Sequence, residues 1–215
     1  MEAGTFRREG SAVPEDPTRS SSAVGTGWKP ADPGPLGLGA FAMTTFVLSM
    51  FNSNLVDAKG LPVVLGLALA YGGIVQILAG LWEFRTGNTF GAVAFCSFGA
   101  FWLSFWALNV FYAKQVGGNA GHAVGVYLWA WAIFTAYMTV AALRVSGAVL
   151  LVFVLLTATF ILLAIGATGP HASVTHWGGY LGLATAAAAW YASFAAVTNS
   201  TFGRTVLPVL PLSGR

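Results

Sequence analysis

Charge is scarce in this sequence. Asp, Glu, Lys and Arg make up 8% of its 215 residues, and apolar residues make up 56%. Soluble domains carry roughly 25% charged residues, so a fully water-solvated globular surface is excluded. Cysteine is nearly absent too. Cys96 stands alone, which rules out a disulfide within the chain and gives no metal-ligand spacing. No basic stripe exists: the ten Lys and Arg are scattered singly apart from Arg7 and Arg8, so nucleic acid is not an expected partner. Beyond Pro33 the only acids are Asp57 and Glu83, both at the ends of apolar runs. Proton relays and ion sites within membranes rest on mid-span ionisable residues. Their lack argues against a pump built on buried carboxylates and against an acid–base catalytic pair, so an enzyme is not expected. His171 and His176 are five apart, off the i, i+4 spacing of a helical metal pair. No metal or other cofactor is implied.

What remains is a series of long apolar runs. A bilayer-spanning helix needs about 20 mostly apolar residues in a row, and six such spans fit the length: 36–56, 62–82, 89–112, 123–143, 148–167 and 174–198. The runs are twice as long as barrel strands and do not alternate. The expected class is an all-α integral membrane protein, with a six-helix domain over 32–200. Residues 1–31, rich in Ser, Gly, Pro and charge, read as a disordered tail without a secretory signal. Residues 201–215 read as a short polar tail. Six spans put both ends on one side, together with Arg7, Arg8, Arg19, Lys29, Arg85, Arg144, Arg204 and Arg215; Lys59 and Lys114 fall opposite. The positive-inside rule then places both termini in the cytoplasm, and the expected location is the plasma (inner) membrane. It also puts Asn199-Ser200-Thr201, a glycosylation pattern, on the wrong side for modification.

Neutral polar groups stand out within the spans. Gly66, Gly73 and Gly80 recur every seven residues, and Gln76 lies between the last two on their face. Small residues let membrane helices approach closely, so Gln76 is expected to point into the protein. It is either an interhelical hydrogen bond or a pore-lining donor. Phe41, Thr44, Thr45, Leu48 and Asn52 form a stripe at helical spacing. It could line a narrow path, unless the Thr hydroxyls bond back to their own helix. Asp32, followed by Pro33 and Pro35, suits the start of the first span.

Asp32-Pro33-Gly34-Pro35-Leu36-Gly37-Leu38 resembles the Asn-Pro-Ala-Pro-Leu-Gly-Leu signature of the acetate uptake transporter family, which includes succinate–acetate permeases. Tyr71-Gly72-Gly73 with Gln76, Gly87-Asn88-Thr89-Phe90-Gly91, Phe101-Trp102-Leu103, Gly125-Val126-Tyr127-Leu128, Leu163-Ala164-Ile165-Gly166 and Phe202-Gly203-Arg204-Thr205-Val206-Leu207-Pro208 follow in the family's order. The resemblance implies a homo-hexamer with one path per protomer for acetate, related small carboxylates and, in some members, succinate, with possible proton linkage. It places a hydrophobic constriction at Phe41, Phe98 and Leu156, and a residue tied to substrate preference at Ala189. Two positions depart from the pattern. Phe98 stands where the family has Tyr, and Asp32 where the signature begins with Asn. A non-transport structural or sensory membrane protein is the alternative, because such proteins also have neutral interiors.

Overall fold

A computed structural model of the chain describes residues 28, 30–169 and 171–212. The expected N-terminal tail lies almost wholly outside the described residues. Among the described residues, six helices are long and apolar enough to cross a membrane: α1 (Gly34–Asn52), α2 (Ala58–Thr86), α3 (Thr89–Gln115), α4 (Ala120–Ala142), α5 (Gly147–Ala167) and α6 (Ala172–Phe202). No strand of a sheet occurs among the described residues. The helices outrun the sequence-based spans most at both ends of α2 and at the end of α6, whereas α1 stops at Asn52, four residues short of its expected span, where the chain turns. Hydropathy ends where polar residues begin, but helical hydrogen bonding continues past that point to the caps. Gly87 closes α2 and Gly203 closes α6, both at positive φ (78° and 64°), where a side chain would be strained. Asn88 and Ser146 open α3 and α5, each accepting from a backbone N–H of the first turn, Gly91 at 3.1 Å and Val149 at 3.3 Å.

α6 lies along both α1 and α5, α4 packs on α5, and α2 packs on α3. Small residues set the closest approaches, as expected where lipid removes any hydrophobic drive between helices. A Cβ on Gly80 would stand 2.6 Å from the Cys96 backbone nitrogen, one on Gly37 would stand 2.7 Å from the Phe95 ring, and one on Gly179 would run into the backbone of Asn52 and Ser53. Cys96 is therefore a packing residue against Gly80.

Two helices contain π segments, Ala70–Val75 in α2 and Leu108–Tyr112 in α3. The first corrects the seven-residue glycine pattern. Gly73 and Gly80 are buried with Gln76, but Gly66 is exposed and has no neighbour within 4 Å of a would-be Cβ. A π turn holds one residue more than an α turn. Residues on either side of it shift in phase by about 100°, which turns Gly66 off the shared face.

The C-terminal segment also differs from a free tail. After α6 it turns back beneath the bundle as a strap. The Asn199 side chain holds it, accepting from the N–H groups of Val206 (2.7 Å) and Leu207 (2.9 Å) and donating to the Leu207 carbonyl (2.8 Å). Tyr191 donates to the Pro208 carbonyl at 2.7 Å. The carbonyls of Leu210 and Val209 then accept from Gly147 (2.7 Å) and Ala148 (3.2 Å), supplying partners to the open N-terminus of α5. Replacing Asn199 with Ala removes three of these bonds at once. Limited trypsin digestion after Arg204 is expected to run about tenfold faster in Asn199→Ala than in the wild type, because local opening governs cleavage. Equal rates would mean that the strap is held elsewhere.

Candidate functional site

The helices enclose two cavities placed end to end. The first, of about 210 Å³, opens among the starts of α1, α3 and α5 and under the strap; Asp32, Asn88, Ser146 and Val209 mark its mouth. The second, of about 290 Å³, lies toward the opposite ends of the helices, with Asn52, Asn109 and Thr175 on its walls. Phe41 and Leu156 line both cavities, so the two meet there. Phe98 lines the first cavity, and its ring lies 5.6 Å from that of Phe41. Phe134 at 5.4 Å, Phe153 at 5.9 Å and Trp131 at 6.1 Å pack around Phe98, giving it an aromatic surround. Phe41, Phe98 and Leu156 are all buried, at 4%, 3% and 4% exposure.

Gln76 lines the first cavity at 1% exposure, and neither its amide oxygen nor its nitrogen has a partner. Buried side-chain amides normally find partners inside the protein. An interhelical hydrogen bond, the packing reading of this residue, is therefore not made. Thr45 lines the second cavity at 6% exposure, and its hydroxyl is likewise unpartnered. Asn52 lines that cavity too.

Other sequence-based site residues fall elsewhere. Thr44 bonds back to the Ala40 carbonyl at 2.9 Å and packs on Gly72, so it lines neither cavity. Its neighbour Thr45 sits one residue, or about 100°, further round the helix. Ala189 is fully buried in the packed core, while Ala192 and Ala196 supply the α6 wall of the first cavity. Of the helix-start motif, Asp32 and Pro35 line the first cavity; Pro33, Leu36 and Gly37 do not. Gly37 instead lets α1 approach Phe95, and Leu36 points outward at 46% exposure. α4 contributes as well: Val124, Tyr127 and Leu128 line the second cavity.

Glu83 is the residue that sequence reasoning undervalued. It lies at the end of an apolar run, yet it is 2% exposed. Its carboxyl lies beside Gly34 and Gly91, in the first turns of α1 and α3, and accepts from Thr86 Oγ1 at 3.1 Å. A negative side chain is stabilised at such helix starts. Asp32 accepts from the Gly34 N–H at 2.8 Å. The start of α1 is thus served by the chain's own carboxylates, while the Gln76 amide in the wall of this cavity has no partner.

Six membrane-length helices around two cavities, meeting at an apolar neck with unpartnered polar groups on either side, make up the body of a multi-pass membrane protein. The sequence matches the model of the GPR1/FUN34/yaaH family over residues 20–214, and the chain belongs to that family. It is 45% identical over 175 residues to "Accumulation of dyads protein 2" of Saccharomyces cerevisiae, covering 79% of this chain and 62% of that one. It is 42% identical over 183 residues to the succinate-acetate/proton symporter SatP of Escherichia coli, covering 84% of this chain and 96% of that one. The chain therefore spans about 62% of the yeast relative's length. It also resembles the solved structure of the bacterial acetate channel SatP, with a TM-score of 0.78 and 41% identity over 84% of this chain and 99% of that one.

Proposed function

We propose that the chain conducts acetate and related small carboxylates across the membrane, through a path within each protomer. The observation that carries this reading is the pair of cavities meeting at Phe41 and Leu156, with Gln76 unpartnered on one side and Thr45 on the other. Acetate is mostly ionised at neutral pH, since such carboxylic acids have a pKa of roughly 4. A bare carboxylate at mid-membrane costs about 3 kcal/mol even on lenient scales. A short apolar neck between hydrogen-bonding vestibules limits that cost to one step. Phe41, Phe98 and Leu156 form the neck, and Gln76, Thr45 and Asn52 serve the vestibules. Neutral sites of this kind bind weakly and release fast, as conduction requires.

The excess of Lys and Arg on the terminal side supports a cytoplasmic placement of both ends in the plasma (inner) membrane. The family resemblance supports a homo-hexamer. Succinate as a second substrate and coupling to protons are carried over from the relatives' names in the same way. The test is uptake of labelled acetate into liposomes holding the purified protein, with and without an inward-acid pH gradient. Saturable uptake is expected, and background rates in both conditions would overturn the reading. In the same assay Leu156→Ala should raise succinate uptake relative to acetate about threefold or more, since deleting a neck side chain opens space there. An unchanged ratio would remove Leu156 from the neck.

A further inference from the structure

We infer that the far part of the C-terminal strap, residues 209–212, is a lid over the first cavity, hinged at Pro208 and able to swing away into a third cavity behind it. The third cavity, of about 300 Å³, lies between α5 and α6, with Leu151, Ala188 and Tyr191 on its walls. Val209 lines both this cavity and the first, so the strap is the partition between them. One thickness of chain with open space on both sides has room to move, which a close-packed helix lacks. Burial does little to hold it: none of residues 205–212 is buried, and Leu210 is 65% exposed. Hydrogen bonds hold it instead, in two groups. Residues 206–208 are tied to α6 by the side chains of Asn199 and Tyr191. Residues 209–212 are tied by backbone bonds to the start of α5 and the turn before it. Gly147 and Ala148 donate to the carbonyls of Leu210 and Val209, and Leu212 donates to the Val145 carbonyl at 3.2 Å. Segments with few buried contacts and exposed hydrogen bonds are the first to open.

Leu210 carries an independent sign of two arrangements. Its φ of 53° lies in the left-handed region, which is costly for a residue with a Cβ. Such a conformation persists only while the surroundings impose it, and it gathers at switch segments. Here the shut lid imposes it. The Leu210 carbonyl takes the Gly147 N–H at 2.7 Å, and its side chain lies so close that a Cβ on Gly147 would stand 3.1 Å from the Leu210 Cβ. Glycine at 147 thus lets the lid seat fully. Lifting the lid relieves the left-handed turn, and the freed N–H groups at the start of α5 find water, as helix ends commonly do. The first and third cavities then join, and the mouth widens by the Val209 side chain. The lid acts at this mouth, apart from the neck at Phe41 and Leu156. The inference rests on the transport reading only for its effect on uptake.

Two variants of the full-length protein push the lid in opposite directions. Gly147→Cys with Leu210→Cys, in a Cys96→Ala background, brings two Cβ atoms close to the 3.5–4.5 Å span of a disulfide, so oxidation locks the lid shut. Uptake of labelled acetate into liposomes should fall about tenfold or more on oxidation and return with dithiothreitol. Equal rates in the two states overturn the lid. Gly147→Pro does the reverse. Proline suits the first position of a helix, and Ser146 before it is already extended, as a residue preceding proline must be. α5 is kept, while the 2.7 Å bond to Leu210 is lost and the ring crowds that side chain. Access is then read without transport, at Ala192→Cys in the wall of the first cavity. With Cys96→Ala, its modification by a water-soluble methanethiosulfonate should run about threefold faster or more when Gly147→Pro is added. An unchanged rate overturns the lid, and this assay decides alone should the double-cysteine variant fail to fold. Faster modification with uptake at background even in the unsubstituted protein would sink the transport reading and leave the lid standing.

Discussion

Gln76→Leu is expected to cut acetate uptake by about 10- to 100-fold and to leave the protein at least as stable as the wild type. The two halves follow from one observation, the unpartnered amide in the wall of the first cavity. Stability does not fall, because no bond is lost. A buried polar group without a partner costs about 1–3 kcal/mol, and an apolar group of similar shape removes that cost. Uptake falls, because a carboxylate leaving the neck would lose a donor. A hydrogen bond to a charged group is worth about 1.5–3 kcal/mol, which corresponds to the stated range in rate. Thermal unfolding in detergent and uptake by liposomes measure the two halves separately. If Gln76 were a packing residue the signs would reverse, with stability lost and uptake of the surviving protein kept. Normal uptake with raised stability would take Gln76 out of the path.

Gly179→Ala is expected to abolish the folded protein or to leave only a small fraction of it. A Cβ at this position would overlap the backbone of Asn52 and Ser53 at the end of α1, and a backbone cannot rotate aside as a side chain can. Overpacking of a tight contact costs about 1–3 kcal/mol or more, a large share of the total stability of most domains. Gly118→Ala is the control, since it meets open space. The readout is the monodisperse fraction on size-exclusion chromatography after detergent extraction. Equal yields for the two variants would show that α1 and α6 can separate at this point.

Much of this architecture could be read from composition. Length and apolar runs suffice for six spans because lipid demands a full hydrogen-bonded helix wherever the chain crosses. Phe41 and Thr45 stood out in a stripe at helical spacing and Gln76 on the face of Gly73 and Gly80, and all three line a cavity. Adjacent residues were harder. Thr44 and Thr45 have the same chemistry, and only the rotation of α1 against α2 decides which one packs on Gly72. The role of Glu83 was hidden for a related reason: sequence shows an acid at a span end but not the two helix starts that converge on it. The strap left one trace, the Phe202-to-Pro208 motif, whose Asn199 anchor lies outside it.

The π segment Ala70–Val75 carries a consequence for descent. It holds one residue beyond what a regular helix needs. Losing that residue would heal the hydrogen-bond ladder, yet it would also swing everything before Gln76 by about 100° relative to everything after it. The Gly73–Gly80 side would keep its partners, and the stretch leading in from Pro62 would lose its own. Single-residue deletions here should therefore be purged in natural relatives even though each would make a straighter helix. Aligned sequences should keep this stretch at constant length while the loops on either side drift.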